Sequence, residues 1–299
     1  MAGRNTNPAL LALLAARLTT RDRDLLRAVW ENRVLTTPQL TSLFFDSIHS
    51  AWKRLLTLSE LGVVERFRPN LPPGAGSSPY YYVLGQPGAA VLASEDGVDL
   101  SAFGYRRDRA LAIAYSQRLA HTVGVNDFYT DLVGFARRRT GAGLVSWWSE
   151  RRCGAMWGDI VRPDGYGRWK EDNHKPLDFF LEHDTGTETL DRVVRKLDGY
   201  ADLTEGSRIV TPVLFWVRGE RRETNLRKRL REHSAARAVP VATACRSALV
   251  GRVDDGPAGE LWLPLDAPGP RLRLARLALH WPDLGPRPPS SARPPEDTA

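Results

Sequence analysis

Two cysteines, Cys153 and Cys245, are all that the chain of 299 residues contains. They lie far apart and in no metal-ligand spacing, which excludes a disulfide framework or a cysteine-rich zinc site and fits a reducing cytoplasm. Long apolar runs are scarce as well. The longest near the start, Ala9 to Ala16, falls short of the ~18–20 residues that a membrane helix needs. Arg17 follows it without the basic, apolar, small order of a secretory signal. A cytoplasmic location with no membrane partner is therefore expected. The chain also lacks a GxxxxGK[ST] loop, a GxGxxG turn after a strand, an HExxH helix and a GxSxG elbow. NTP hydrolysis, dinucleotide redox chemistry and serine hydrolysis consequently have no support.

What the chain does have is apolar residues at 42% and a formal charge of +7. The length suits about two domains at roughly 100–200 residues each. The apolar fraction is enough for packed cores, and the charge makes a polyanion the first partner to test.

The first third reads as helices followed by a strand pair. Thr20 is expected to cap a helix to about Asn32, with Leu25, Leu26, Val29 and Trp30 at helical spacing. Thr37-Pro38 opens a short helix through Leu43. Ser47 opens a third, with Ile48, Trp52, Leu55, Leu58 and Leu61 on one side and Gly62 as its stop. Strands are expected at Val63 to Phe67 and Tyr80 to Leu84, joined through a Pro-, Gly- and Ser-rich stretch at 69–79. That order is the order of a winged helix-turn-helix domain over residues 18–86. Its third helix would offer His49, Ser50, Lys53 and Arg54 to the major groove of double-stranded DNA, and Arg66 and Arg68 on the wing would meet phosphates or the minor groove. The alternative is that these charges solvate a helical surface and the domain contacts protein.

Residues 87–108 read as a connector carrying a small helix. A long helix is expected from Arg109 to Arg138, with Leu111, Tyr115, Leu119, Val123, Phe128, Leu132 and Phe135 inward. Strands at 144–148, 177–183, 209–217, 239–243 and 260–263 alternate with helices at about 189–203 and 225–236. The pattern predicts a mixed α/β domain over 109–265 with at least one crossover. After Asp266 the composition turns to Pro, Arg and Ser, and 266–299 reads as a disordered tail. In the late basic helix, Arg227, Lys228, Arg229 and Arg231 are candidate phosphate contacts or a solvated face.

Charge is unevenly distributed. Between Asp159 and Asp191 nine acids stand against four bases, a net −5 inside a +7 chain. Grouped carboxylates repel, and a divalent cation offsets that, because Mg²⁺ prefers carboxylate oxygens and retained waters. Pro163-Asp164-Gly165-Tyr166-Gly167 reads as a tight turn. In the strand after it, the two-residue period puts Glu182 and Asp184 on one face and Leu177, Phe179 and Leu181 on the other. Arg192, Lys196 and Tyr200 follow at i, i+4 and i+8 on a helix. Asp164, Glu182 and Asp184 are thus candidate Mg²⁺ ligands, with Lys196 orienting water or stabilising developing charge. Ordinary ion pairs of Glu182 and Asp184 with Arg192 and Lys196 are the competing account.

The order Pro163-Asp164, Glu182-His183-Asp184 and then a helix resembles the PD-(D/E)XK nuclease core. This restriction-endonuclease-like fold uses Mg²⁺ to hydrolyse phosphodiesters. Asp184 stands where that motif has lysine, so the resemblance implies that Lys196 is a migrated replacement. A broader resemblance runs from about Leu18 to Leu265. LTTRDRDLLRAVWENRVLTTPQLTSLFF, HTVGVNDFY, RPDGYGRW and FFLEHDTGTETLDRVVRKLDGY are similar to the replication-relaxation family of actinobacterial and plasmid-associated proteins. That resemblance implies a role in replication or mobilisation of plasmids, with plasmid-origin DNA and replication or transfer proteins as partners. Within HTVGVNDFY, the residues His121, Asn126 and Asp127 are candidates to face the carboxylates, although a core role suits His121 better. A tyrosine relaxase of the common type needs two histidines one residue apart. None of the six histidines, at positions 49, 121, 174, 183, 233 and 280, is so spaced. Two expectations result: a DNA-binding protein with a Mg²⁺-dependent endonuclease domain, or a non-catalytic regulator or adaptor on a degenerate nuclease fold. The oligomeric state has no sequence signal.

Overall fold

The computed structural model describes residues 8–69, 77–249, 255–281 and 284–285. It forms two compact units, Met1–Thr130 and Asp131–Ala299. The class is mixed α/β, as the alternation of patterns predicts.

The first unit begins with α1 (Pro8–Arg17) and α2 (Thr20–Asn32), followed by β1 (Leu35–Thr36), α3 (Thr37–Phe44) and α4 (Ile48–Glu60). The caps sit one residue earlier than the sequence suggests. Thr19 and Thr36 each accept from the third backbone N–H of their helix, and Asp22 and Gln39 reach back to complete capping boxes. This satisfies amide donors that a helix N-terminus otherwise leaves open. Ser47 caps α4 as expected. Gly62, at φ +73°, ends it, donating to Ser59 while Val63 donates to Leu58. That closing turn is left-handed, which glycine adopts without a side-chain clash.

β2 (Val64–Phe67) and β3 (Tyr81–Leu84) form an antiparallel pair, and β1 adds to the far side of β3. Most of the intervening stretch, residues 70–76, lies outside the described residues. α5 (Gln86–Glu95) and α6 (Arg107–Ala112) follow. The expected connector is in part core: Ala89 to Ala93 on α5 are buried, and the helix packs on α1 and α2. The single helix expected from Arg109 is broken. α6 passes through one tight turn at Ile113–Tyr115 before α7 (Leu119–Arg138) begins. Ile113 enters a cluster with Val34 and Val83, whereas Tyr115, expected inward, is 92% exposed. Ser116 takes an extended conformation, and that ends the helical phase that would have carried Tyr115 inward.

The second unit is built on a six-stranded sheet. Its elements are β4 (Ala142–Ser149), α8 (Glu150–Trp157), β5 (Gly165–Glu171), β6 (Leu177–Asp184), α9 (Leu190–Ser207), β7 (Val213–Val217), α10 (Glu220–Glu232), β8 (Val241–Cys245), β9 (Leu263–Pro264) and α11 (Leu277–His280). Strand order follows chain order, β4-β5-β6-β7-β8-β9. β4, β5 and β6 are antiparallel; β6, β7 and β8 are parallel through the α9 and α10 crossovers; β9 returns antiparallel. Val193, Leu197 and Tyr200 of α9 and Leu226 and Leu230 of α10 cover one face, against Phe180, Phe215 and Val241. The central strands are buried on both faces, hence their near-continuous apolar sequence.

β5 overturns the expected turn at Gly165-Tyr166-Gly167. These glycines are strand residues lying under aromatic rings. A Cβ on Gly165 would sit 2.6 Å from the Trp147 ring, and one on Gly167 would sit 2.3 Å from the Phe179 ring. The expected tail is corrected in part. Leu274, Ala275, Leu277 and Ala278 are buried, and Leu272 bridges to Trp262. Residues 286–299 lie outside the described residues.

Candidate functional site

β6, α9 and the residue that precedes β5 bring together three of the four residues expected to do chemistry, Glu182, Lys196 and Asp164. Glu182 is buried on the α9 side of β6. Lys196 donates to its Oε2 at 2.7 Å, and Tyr200, one turn on, donates to its Oε1 at 2.5 Å. The i, i+4 spacing along α9 aims both donors at one carboxylate. Asp164, just before β5, is also buried, and its Oδ2 accepts from the His183 backbone N–H at 2.8 Å. Burial and the neighbouring Asp164 carboxylate push Glu182 up to about 7, against the pull of Lys196 and Tyr200. Burial acts against the Lys196 charge, but Glu182 and Asp164 outweigh it and hold the ammonium above its ordinary value.

Asp184 goes elsewhere. It shares the Glu182 face, yet Arg222 of α10 clamps it with bonds of 2.7 and 3.1 Å, and Gly186 N–H closes on its Oδ1 at 2.8 Å. Arg222 also donates to the Glu188 carbonyl at 2.6 Å. Arg192 pairs with Glu188 at 3.1 Å and not with the strand carboxylates. Arg222 escaped the sequence reading because it is 38 residues from Asp184, and no local pattern announces a partner delivered by a crossover. Tyr200 did carry a signal, its periodicity with Lys196.

Mg²⁺ requires several oxygen donors converging on one point. Asp164 and Glu182 are hard donors, but both Glu182 oxygens are taken, and Arg222 occupies Asp184. Among the described residues no three His, Cys, Asp or Glu side chains form a group able to hold a metal. Asn126 and Asp127 have partners within the first unit. Asn126 donates to the carbonyls of Asn32 and Val34 at 3.2 and 2.6 Å, and Asp127 accepts from Gln39 at 2.8 Å.

The first unit holds the other candidates. On α4 the buried face is Ala51, Leu55 and Leu58. Ile48 and Trp52, expected in the core, are 54% and 48% exposed, one turn apart. His49, Ser50 and Lys53 are exposed with them. Arg54 is turned inward: its Nε donates to the Oδ1 of buried Asp22 at 2.8 Å, and its Nη2 bonds Oδ2. In the strand pair, the Arg66 and Arg68 guanidinium groups stack on the Tyr80 ring at 4.5 and 4.0 Å. Arg227, a candidate of the late basic helix, is buried, bonded to Thr243 and to the carbonyls of Leu263 and Pro264. It is a strut for β8 and β9, not a surface cation.

The family model for replication-relaxation matches residues 26–214. The chain belongs to the replication-relaxation family. Membership associates it with replication. The matched span takes in α4, the β2–β3 pair, Asp164, Glu182, Asp184, Lys196 and Tyr200, and it ends before Arg222. The clamp on Asp184 thus comes from outside the stretch that defines the replication-relaxation match. No curated protein and no solved structure matches the chain. Among the described residues no helix is long and apolar enough to cross a membrane.

Proposed function

We propose that this replication-relaxation protein is a cytoplasmic, non-hydrolytic DNA-binding component of plasmid or mobile-element replication or transfer. On this reading α2, α3, α4 and the β2–β3 pair form a winged helix-turn-helix. It docks α4 in the major groove of double-stranded DNA, such as a plasmid origin, with the wing on the backbone. The second unit is a restriction-endonuclease-like scaffold that presents the chain to replication or transfer proteins.

The observation that carries the reading is the outward face of α4. His49, Ser50 and Lys53 are exposed there, and Lys53 has no carboxylate partner among the described residues. Arg66 and Arg68, stacked on Tyr80, are pre-ordered for phosphate contact, since a stacked guanidinium keeps its donor edge free. The non-hydrolytic half rests on the committed carboxylates: Glu182 to Lys196 and Tyr200, Asp184 to Arg222.

Fluorescence anisotropy of the full chain with duplex DNA against salt tests the binding. Lys53→Ala should weaken it and reduce the slope of log affinity on log salt by about 1. An unchanged slope would remove α4 from the interface, and no binding of any duplex would sink the DNA reading. Incubation with supercoiled plasmid in Mg²⁺ or Mn²⁺ should leave it uncut. Nicking that Asp164→Ala abolishes would restore the endonuclease reading.

A further inference from the structure

A cavity of about 430 Å³ opens at the edge of the second unit where β8 begins. It is remote in the sheet from the Glu182 cluster: that cluster sits toward the ends of parallel strands β6 and β7, and this cavity toward the start of β8. Its apolar walls include Val210, Val239, Leu265 and the Trp281 ring. Three potential cations, Arg231, His233 and Arg237, line it as well.

The electrostatics of the lining are unbalanced. Neither Arg231 nor Arg237 has a carboxylate partner among the described residues, and Arg231 makes only a long 3.5 Å bond to the Leu265 carbonyl. His233 faces Asp198 at 3.6 Å through Nε2, while its buried Nδ1 has no hydrogen-bond partner among the described residues. The one acid in the lining, Asp266, is already engaged by His280 at 2.9 Å and by the Trp281 indole N–H at 3.3 Å. Two guanidinium forks without a carboxylate, beside a single acid that is already engaged, call for an acceptor-rich anion. The volume lies in the range of small-molecule sites, and the apolar walls suit a body larger than a bare ion.

We propose that this cavity binds a phosphomonoester carried on a planar or apolar body, the size of a single nucleotide. Arg231 and Arg237 grip the phosphate, and the valines and Trp281 hold the body. The source is either a free mononucleotide or the 5′-phosphorylated end of a DNA strand. The proposal does not depend on DNA binding by the first unit.

Isothermal titration of the full chain with dAMP, deoxyadenosine and inorganic phosphate tests it. Binding of dAMP should be at least about tenfold tighter than either fragment, and Arg231→Ala and Arg237→Ala should each weaken it about tenfold. Both side chains are exposed, so thermal melts of the variants should match the parent. Absence of dAMP binding at millimolar concentration, or unchanged affinity in both variants, overturns the proposal. Displacement of dAMP by a 5′-phosphorylated oligonucleotide, and not by its 5′-hydroxyl twin, identifies a strand end. Displacement by neither identifies a free nucleotide. Equal displacement by both would show that phosphate is not recognised and would also overturn the proposal.

Discussion

Arg54 shows how a residue chosen for its charge is redirected by a neighbour. It lies one step beyond Lys53 on α4, and from spacing alone the two are equal candidates for a DNA contact. The structure separates them, because Asp22 is fully buried and Arg54 is the cation that answers it. Burial pushes the Asp22 carboxyl up, but the bonds from Arg54 and Thr19 outweigh it and hold the group below its ordinary value of 3.8. Arg54→Ala leaves a buried charge unanswered and should cost about 3 kcal/mol of stability in urea melts at pH 7. Asp22 has a folded-state pKa below its unfolded one, so its stabilisation is full above the unfolded value and is lost as pH falls through the folded one. The gap between parent and variant should therefore shrink as pH drops below 3.8, the ordinary value. A gap constant down to pH 3 would show that the loss does not come from the ionised Asp22 carboxylate. The same logic explains what was legible at the carboxylate cluster. Asp164, Glu182 and Lys196 were identifiable because residue type and local period placed them. The fate of Asp184 was not, because its partner Arg222 arrives from another helix.

At the scale of elements, legibility followed periodicity. α2, α4, β6 and α9 have clear apolar patterns and lie close to where the pattern predicts them. β5 was missed because Gly165-Tyr166-Gly167 has turn composition, and only the partner strands reveal why glycine is there. Gly167 lies directly opposite Phe179, whose ring covers the space a side chain would need. Gly167→Ala should overpack this layer and destabilise the second unit by about 1–3 kcal/mol, read as a lower urea midpoint with unchanged slope. A neutral effect would show that Phe179 can move aside freely. α4 failed in the opposite sense. Ile48 and Trp52 fit the apolar phase, but Ala51, Leu55 and Leu58 define the buried stripe, and a helix this short at the surface leaves a second stripe open.

At the scale of the whole molecule, the +7 charge conceals an internal balance in which carboxylates buried in the second unit are matched by arginines from distant sequence. Composition made everything after Asp266 look like tail, since proline and arginine dominate there. Yet Arg271 reaches buried Glu223 at 2.7 Å, and Arg273 reaches buried Glu171 at 2.9 Å. Around them Leu274 and Leu277 are fully buried, and the Trp262 indole donates to the Pro257 carbonyl under the same segment. A chain ending at Asp266 would lose both guanidinium groups at once. Each buried carboxylate left without its cation costs roughly 3–5 kcal/mol, although Glu223 keeps the Thr243 hydroxyl and Glu171 the Trp169 indole N–H, and the lost apolar burial adds to that. Domains retain only about 5–15 kcal/mol in total, so this truncation should leave the second unit without fixed tertiary packing. The part of the near-ultraviolet circular dichroism that comes from the second unit should be lost, leaving that of first-unit rings such as Trp30 on Phe103, whereas Arg271→Ala alone, which breaks one pair, should keep the spectrum and lower the melting temperature. A truncated chain with the parent spectrum would mean that Glu171 and Glu223 find other partners, and that these arginines decorate a sheet already complete without them.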